Sequence, residues 1–525
     1  MLEAGRRRAE LAIAGALAFA FAAACASGIE GLGDSDPYRH LQTARDLVRS
    51  GFRLRGAPFL PFTLLGSSGV DLWLGFHWLM VPFTALGTLW GARLAGAAIA
   101  AFAAVALAWL LRRLGQERPA AFALAPLAIS PFFAFRDHLA RPTHLTVPLV
   151  LAGLAAGAGE LHPGFAFAAA FLHGLLHLSS PLSPFFVLLG IAGARLGGGR
   201  GSLRALLWSI AGLALAFLVR PDRAQYLTVA FLHNATTLDL LARESLPNSG
   251  LEAKPLGAEF LLAETWFGLA LLAGAWGASR GGTPAGSRAM RASALLAIGL
   301  VLPLSLRTAR FLDYVPPLLA LGAGLFWPRE GLREGARRFL PAAVAVCAAV
   351  LAARNLSIAW EVGNGNLGPP STYERLAEEV RARVPPGSLL FTDDTFRTAP
   401  IYASLPEYRY ISMADPSLLH AANPGLFWQW HHAVHDGTYC RARRCDGAPS
   451  GSEAVAGAVR AFSSEWIVTD ASPHPSAIVR VMAGAPDRFE LVGGAQAGGF
   501  GLVLWHLKPA SPGSALAAPR AGSGG

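Results

Sequence analysis

Asp71-Leu72-Trp73-Leu74-Gly75-Phe76-His77-Trp78-Leu79-Met80-Val81-Pro82-Phe83-Thr84-Ala85-Leu86-Gly87-Thr88-Leu89-Trp90-Gly91 is apolar enough to be read as a membrane crossing, yet it carries an acid, a histidine and a proline. A spanning helix needs about 20 mostly apolar residues. Eleven other stretches approach that standard: 10–27, 93–111, 119–134, 143–159, 163–179, 183–199, 204–219, 258–278, 292–306, 313–327 and 339–354. If 72–91 crosses as well, every later loop changes side.

The arginines arbitrate. Short cytoplasmic loops carry the excess of Lys and Arg. Put Arg6, Arg7 and Arg8 inside, and lay 72–91 on the outer face as a helix. The groups Arg112/Arg113/Arg118, Arg195/Arg200/Arg204, Arg280/Arg288/Arg291 and Arg329/Arg333/Arg337/Arg338 then all fall inside. The expected fold class is a polytopic α-helical membrane protein of about eleven spans with a C-terminal periplasmic α/β domain. The expected location is a bacterial inner membrane, N-terminus cytoplasmic. Arg6–Arg8, the apolar core and Ala24-Cys25-Ala26 also resemble a cleavable signal. Ten further spans make a retained anchor the simpler reading.

Composition agrees. The chain is 53% hydrophobic and 15% charged, against roughly 25% charged for a soluble domain. All but Lys254 and Lys508 of its 44 basic residues are Arg, as a GC-rich coding sequence produces. The net charge of +10 is therefore read as orientation, and no nucleic-acid partner is expected.

After Ala353 the pattern changes. Tyr373–Val384 reads as an amphipathic helix and Ser388–Thr392 as a buried strand. Short apolar runs recur at Tyr408–Met413, Ala454–Phe462, Glu465–Thr469, Ala477–Met482, Phe489–Val492 and Gly501–Leu507. The expected domains are 1–355 in the membrane, with a long first outer loop over 28–92, then 356–510 outside, then a disordered tail over 511–525. Cys440 and Cys445 suit a disulfide in an oxidising compartment. Free thiols, or a metal pair with His431, His432 and His435, are the alternatives.

The outer loops hold the chemistry. The first opens Gly33-Asp34-Ser35-Asp36-Pro37-Tyr38-Arg39-His40-Leu41. Proline favours the first helical position, so a helix from Pro37 to Ser50 is expected with Asp36 as its N-cap. Asp34 and Asp36 at the outer surface could instead bind a metal or accept a proton. The second loop, Arg136-Asp137-His138-Leu139-Ala140-Arg141, packs charges beside a bilayer. Such charges are costly unless paired or used, so Asp137 is expected to pair with Arg136 or Arg141 if it has no other task. In Arg307-Thr308-Ala309-Arg310-Phe311-Leu312-Asp313, two arginines defy the inside rule. Arg suits phosphate; the plainer expectation is an Arg310–Asp313 pair. His173 and His177 share a helix face and are read as partners of the backbone or of Ser179 and Ser180. Acids and arginines on one face suit a lipid-linked phosphate, its tail lying between spans.

These residues resemble the GT-C membrane glycosyltransferases, and within them the catalytic subunits of oligosaccharyltransferases. Asp36-Pro37-Tyr38-Arg39-His40-Leu41 is similar to the family's first-loop Asp-Pro-Tyr-Tyr-His-Leu signature. Asp137-His138 sits where the family has its second acidic motif, and Arg310-Phe311-Leu312-Asp313-Tyr314-Val315-Pro316 resembles its phosphate-contacting Arg-Phe segment. Glu244-Ser245-Leu246-Pro247 is a looser match to a Glu-x-x-Pro motif. The family's Trp-Trp-Asp-Tyr-Gly acceptor motif is absent.

The resemblance implies transfer of a sugar or oligosaccharide from a polyprenyl phosphate or diphosphate to a periplasmic glycan, lipid or protein. Asp36, Asp137 and Glu244 would be catalytic, and Arg310 with Arg307 would hold the phosphate. Asp36, Asp137 and His138 could hold Mg or Mn, though single-acid motifs equally suit a metal-free enzyme. Asp34, His40 and Arg141 are secondary candidates. The rival expectation is a multi-span transporter or a flippase for lipid-linked sugars. Its acids belong near mid-span, whereas these lie at span ends.

Overall fold

The computed structural model describes residues 2–53, 56–243, 255–280, 283–328, 334–471, 476–497 and 499–509. The chain divides into two compact units, one of residues 1–58 and 65–369, the other of 59–64 and 370–525.

The first unit is helical. Its helices are α1 (Leu2–Ser27), α2 (Ser35–Arg49), α3 (Leu64–Ser68), α4 (Leu74–Met80), α5 (Thr88–Arg113), α6 (Pro119–Ile129), α7 (Pro131–Asp137) and α8 (Pro142–Gly157). Then come α9 (Pro163–Leu176), α10 (Leu182–Leu196), α11 (Leu203–Leu218), α12 (Arg223–Arg243), α13 (Ala258–Ser279), α14 (Arg288–Ser305), α15 (Val315–Phe326) and α16 (Glu334–Asn366). Among the described residues, five helices are long and apolar enough to cross a membrane, or up to seven if each of two bent pairs is one span. Length alone thus accounts for five to seven of the eleven expected crossings. The expected stretches 143–159, 163–179, 183–199 and 313–327 fold as helices of 16, 14, 15 and 12 residues. At about 1.5 Å per residue these fall short of the roughly 30 Å hydrocarbon layer.

Other expectations change. The stretch 119–134 is not straight: α6 and α7 meet at 107°. Ser130 leaves the helical region there and caps α7 by accepting from the Phe133 N–H at 2.9 Å. The buried Glu264 carboxylate accepts from Ser130 Oγ and from the Phe132 N–H, so the bend has partners for its freed groups. Between the expected stretches 204–219 and 258–278 the chain is helical over Arg223–Arg243. The stretch 72–91, expected as one helix, is α4 plus a 3₁₀ turn over Val81–Leu86, and Gly87 at φ +79° starts α5 five residues early.

Small residues set the helix crossings, as expected for helices that pack without a hydrophobic drive between them. A Cβ at Gly157, Gly190 or Gly212 would collide with the backbone of the neighbouring helix. Helix α15 is buried on every side, so its N-terminal end, next to Asp313, lies deep in the bundle.

The second unit is a five-stranded sheet with helices α17 (Pro370–Arg383), α18 (Thr398–Ser404), α19 (Ser417–Ala422), α20 (Pro424–His435), α21 (Ser452–Ala461) and α22 (Ala477–Ala483). Its strands are β1 (Leu389–Thr392), β2 (Arg409–Tyr410), β3 (Trp466–Asp470), β4 (Phe489–Ala497) and β5 (Phe500–Leu507), in the order β2-β1-β3-β5-β4. β1 runs parallel to β2 and β3; β5 is antiparallel to β3 and β4. The apolar runs 454–462 and 477–482 are helices rather than strands.

The expected boundary at 355/356 follows the end of apolar sequence, but α16 continues to Asn366 and the units divide at Pro369/Pro370. Phe59–Leu64, expected within the membrane domain's outer loop, belongs to the second unit. There Phe59 stacks on Tyr402 at 3.9 Å and its carbonyl accepts from the Tyr410 N–H at 2.7 Å. Cys440 and Cys445 are joined as a disulfide. Cys25 is buried and Cys347 exposed.

Candidate active site

Helix α2 carries the first signature. Gly33, in the left-handed region at φ +70°, turns the chain into it, and the Asn366 amide donates to the Gly33 carbonyl at 3.0 Å. The helix starts at Ser35, not Pro37, and its N-cap is Asp34, whose Oδ1 accepts from the Asp36 N–H at 2.8 Å. This corrects the expectation that Asp36 is the cap. With Asp34 satisfying the helix end, the Asp36 carboxylate is released for another use.

Arginine takes it up. Asp36 and Arg39 are three apart and share a helix face; Asp36 Oδ1 lies 2.9 Å from Arg39 Nη2. Arg141, from the loop before α8, reaches Asp36 Oδ2 with Nη2 and Asp34 Oδ2 with Nη1 at 3.3 Å. Burial alone would raise the Asp36 pKa. The charges of Arg141, Arg39 and Arg136, with the Arg141 hydrogen bond, outweigh it and hold the group at about 2. Asp36 is a permanent anion here.

The second loop is brought to the same end of the bundle by the α6–α7 bend. Arg136 forks onto Asp313, Nε to Oδ1 at 2.7 Å and Nη2 to Oδ2 at 2.9 Å. Both are buried, and the bidentate geometry is the strong form of this pair. So Asp313 pairs with Arg136, not with Arg310 as the plainer expectation had it. Asp137 faces His144, Oδ1 to Nδ1 at 3.5 Å, rather than Arg136 or Arg141. His138 is buried edge-on to Phe135, and a Cβ at Gly96 would strike its carbonyl, which is why α5 has glycine there.

Arg310 is half-buried in a 3₁₀ turn over Ala309–Asp313, and the Thr308 hydroxyl caps the turn by accepting from the Arg310 N–H. Arg307 is exposed. Glu244 lies outside the described residues. His177 ends α9 in extended conformation; Ser179 Oγ lies 2.6 Å from its Nδ1. The expected serine partner is therefore found. His177 also feels the charges of Arg310, Arg141, Asp313 and Asp36, so the first, second and Arg310 loops converge.

A narrow cleft is lined by small and apolar residues including Ala18, Ala100, Ala104, Leu107, Leu151 and Pro317, and by Asp137 and His144. Its character suits an apolar chain.

None of Asp71, His77, His144, Arg220 and Asp222 was assigned to the site from the sequence. Asp71 and His77 stood out only as polar residues in an apolar run. Pairs such as Arg136 with Asp313 are 177 residues apart and leave no local signal.

The residues proposed for a divalent cation do not form a ready site. Both Asp36 oxygens are taken by guanidinium groups. Among the described residues, His432, Cys440 and Cys445 are the trio of His, Cys or carboxylate donors within 4.8 Å of one another. The two sulfurs of that trio are tied in the disulfide.

No family model matches the chain, and no curated protein matches it in sequence. Solved structures do. ArnT from Cupriavidus metallidurans, bound to undecaprenyl phosphate, aligns with a TM-score of 0.55 at 16% identity over 94% of this chain and 97% of that one. The archaeal oligosaccharyltransferase AglB from Archaeoglobus fulgidus, with an inhibitory peptide and dolichol-phosphate, aligns with a TM-score of 0.54 at 11% identity over 90% and 70%. The arabinofuranosyltransferase AftD from Mycobacteria aligns with a TM-score of 0.53 at 16% identity; this chain is 96% covered and spans 40% of that one. At these identities the likeness is one of fold alone.

Proposed function

We propose that the protein is a glycosyltransferase that takes a sugar from a polyprenyl phosphate or diphosphate and gives it to an acceptor on the outer face of the membrane. The observation that carries this reading is Asp36: a buried carboxylate, kept ionised by Arg39 and Arg141. It stands at the start of an outer-loop helix in a fold whose solved neighbours hold undecaprenyl phosphate or dolichol-phosphate. The arginine clusters of the connecting loops favour a cytoplasmic N-terminus and a periplasmic second unit.

The chemistry follows from competition for cations. Held at about 2, Asp36 is charged but weakly basic. The donor phosphate arrives as an anion and is received by Arg310, with Arg307 at the rim. It also competes for Arg141. Each guanidinium drawn toward phosphate returns basicity to Asp36, which then orients and deprotonates the acceptor hydroxyl. The same arginines stabilise charge growing on the leaving phosphate. Asp137 lines the apolar cleft, where the prenyl chain would lie, and helps place the donor. No step here requires a bound cation, because both Asp36 oxygens already face arginine.

The test is transfer by purified protein in lipid nanodiscs across a panel of prenyl-linked sugars. Transfer that survives EDTA is expected; complete loss restored by Mg or Mn would return Asp36 and Asp137 to metal binding. Flux of a lipid-linked sugar across vesicles without any transfer would favour the flippase. Arg310→Ala is expected to raise the donor KM by about 10- to 100-fold, the loss of one charged hydrogen-bonding partner. An unchanged KM would remove Arg310 from the site.

A further inference from the structure

Behind Arg39 runs a line of polar groups that the reaction does not touch. Arg39 Nη2 lies 3.4 Å from His40 Nε2. His40 Nδ1 lies 2.8 Å from His77 Nε2, and His77 Nδ1 lies 2.6 Å from Asp71 Oδ2. Arg39, His40, His77 and Asp71 are all buried, none more than 8% exposed. They come from α2, from α4 and from the turn before α4. The line is closed at its far end. Asp71 Oδ1 accepts from the Trp73 N–H at 2.9 Å. Arg220 forks onto Asp222 at 2.9 Å through both atoms and also donates to the Asp71 carbonyl.

The two ends fix every proton between them. A guanidinium can only donate, and an ionised carboxylate can only accept. Asp71 therefore requires N–H at His77 Nδ1. A neutral His77 then has its lone pair at Nε2, which requires N–H at His40 Nδ1. That leaves the lone pair of His40 on Nε2, facing the Arg39 N–H. Each contact has one donor and one acceptor, and no other arrangement of neutral rings satisfies all three. The titration directions agree. Burial, the Arg39 charge and His77 push His40 well below its ordinary value, toward the neutral ring. Burial would raise Asp71, but His77, the Trp73 N–H and Arg220 bring it below the usual carboxylate range.

We infer that Asp71, His77 and His40 form a directional hydrogen-bonded tether that holds Arg39 against Asp36, and that they are positioning residues for the transfer reaction. The inference rests on the proposed role of Asp36. The tether has a purpose if Arg141 is drawn toward donor phosphate during the reaction. Arg39 must then stay, or Asp36 loses both cations at once. Trp73 adds to the restraint: the Arg39 guanidinium lies over its ring at 4.2 Å. His40 is held edge-on by Trp73 and Phe76 at 5.6 and 4.9 Å.

Two substitutions at one position separate a tether from simple packing. His77→Phe keeps an aromatic ring of similar size and removes both nitrogens. His77→Gln keeps a donor and an acceptor, so its amide can give N–H to Asp71 and accept from His40. Packing alone ranks Phe above Gln; a tether ranks Gln above Phe. The expected result is a kcat loss of about 10- to 100-fold for His77→Phe, at least partly recovered in His77→Gln, with donor KM changed less than about threefold in both. Phe equal to or better than Gln would overturn the inference. A second readout does not depend on activity. In ¹⁵N-histidine spectra of the full chain in nanodiscs, His40 and His77 should both be neutral with the proton on Nδ1, each assigned by its loss in His40→Gln or His77→Gln. A proton on Nε2 of either ring overturns the tether. Wild-type protein inactive on every donor would strike the functional reading, while the spectra would still decide the tether.

Discussion

Two groups of carboxylates, one in each unit, use the same residue type, and in them Asp36 and Asp393 are shifted in opposite directions. In the helical unit Asp34 and Asp36 share Arg141, and Asp36 has Arg39 besides. In the second unit Asp393 and Asp394 follow β1 and Asp470 ends β3, with one arginine near: Arg397 lies 2.5 Å from Asp470 and 3.5 Å from Asp394. Asp393 has neutral partners, the Asp470 N–H at 3.3 Å and Ser476 Oγ at 3.4 Å. Burial acts upward on both Asp36 and Asp393. For Asp36 the arginines win and the group sits at about 2. For Asp393 burial first and the Asp394 charge second push it to about 7. Cations within reach, not burial, decide which aspartate is an anion at neutral pH.

The largest effect on stability should follow from removing the cation that both helical-unit acids share. Arg141→Ala takes from Asp34 and Asp36 the guanidinium that they share. Breaking a buried pair in this way costs on the order of 3–5 kcal/mol. Thermal denaturation in detergent should show a clear loss, and transfer should fall by at least about 100-fold. A variant as stable as wild type would mean that Arg141 does not set the charge state of Asp36.

A smaller effect is expected from Asp393, and its sign is opposite to that of a paired acid. Unfolded, the group titrates near 4; folded, at about 7. Between those values the folded form keeps a proton that the unfolded form has lost. The second unit should therefore lose stability as pH rises from about 4 to about 7, and change little from this source above that. The total is on the order of 2–4 kcal/mol. Asp393→Asn should flatten the profile and stabilise the unit at pH 8. A variant with the wild-type pH slope would place the titration elsewhere.

Part of this was legible beforehand. Pro37 marked a helix close to its start, the arginines marked the loops, and Asp36-Pro37-Tyr38-Arg39-His40-Leu41 pointed to the fold that the solved neighbours share. The helix after Pro369 and the strand at 389–392 follow from periodicity, and Cys440–Cys445 from spacing and the oxidising compartment expected for that domain. What failed was of two kinds. Local competition was misjudged: Asp34 took the cap expected of Asp36, and Ser130 with Pro131 broke a stretch read as straight. Pairings across the fold were invisible: Asp313 chose Arg136 over its neighbour Arg310, and His77 found both His40 and Asp71. Periodicity reports which face is buried, not which charge waits there.

The account stands on Asp36, and one substitution addresses it directly. Asp36→Asn keeps the shape and removes the charge. In nanodiscs with a prenyl-linked donor that wild type uses, the variant should insert normally and bind donor within about threefold of wild type, while transfer in a single turnover falls by at least about 1,000-fold. Transfer within about tenfold of wild type would contradict the assignment of Asp36 as the catalytic carboxylate.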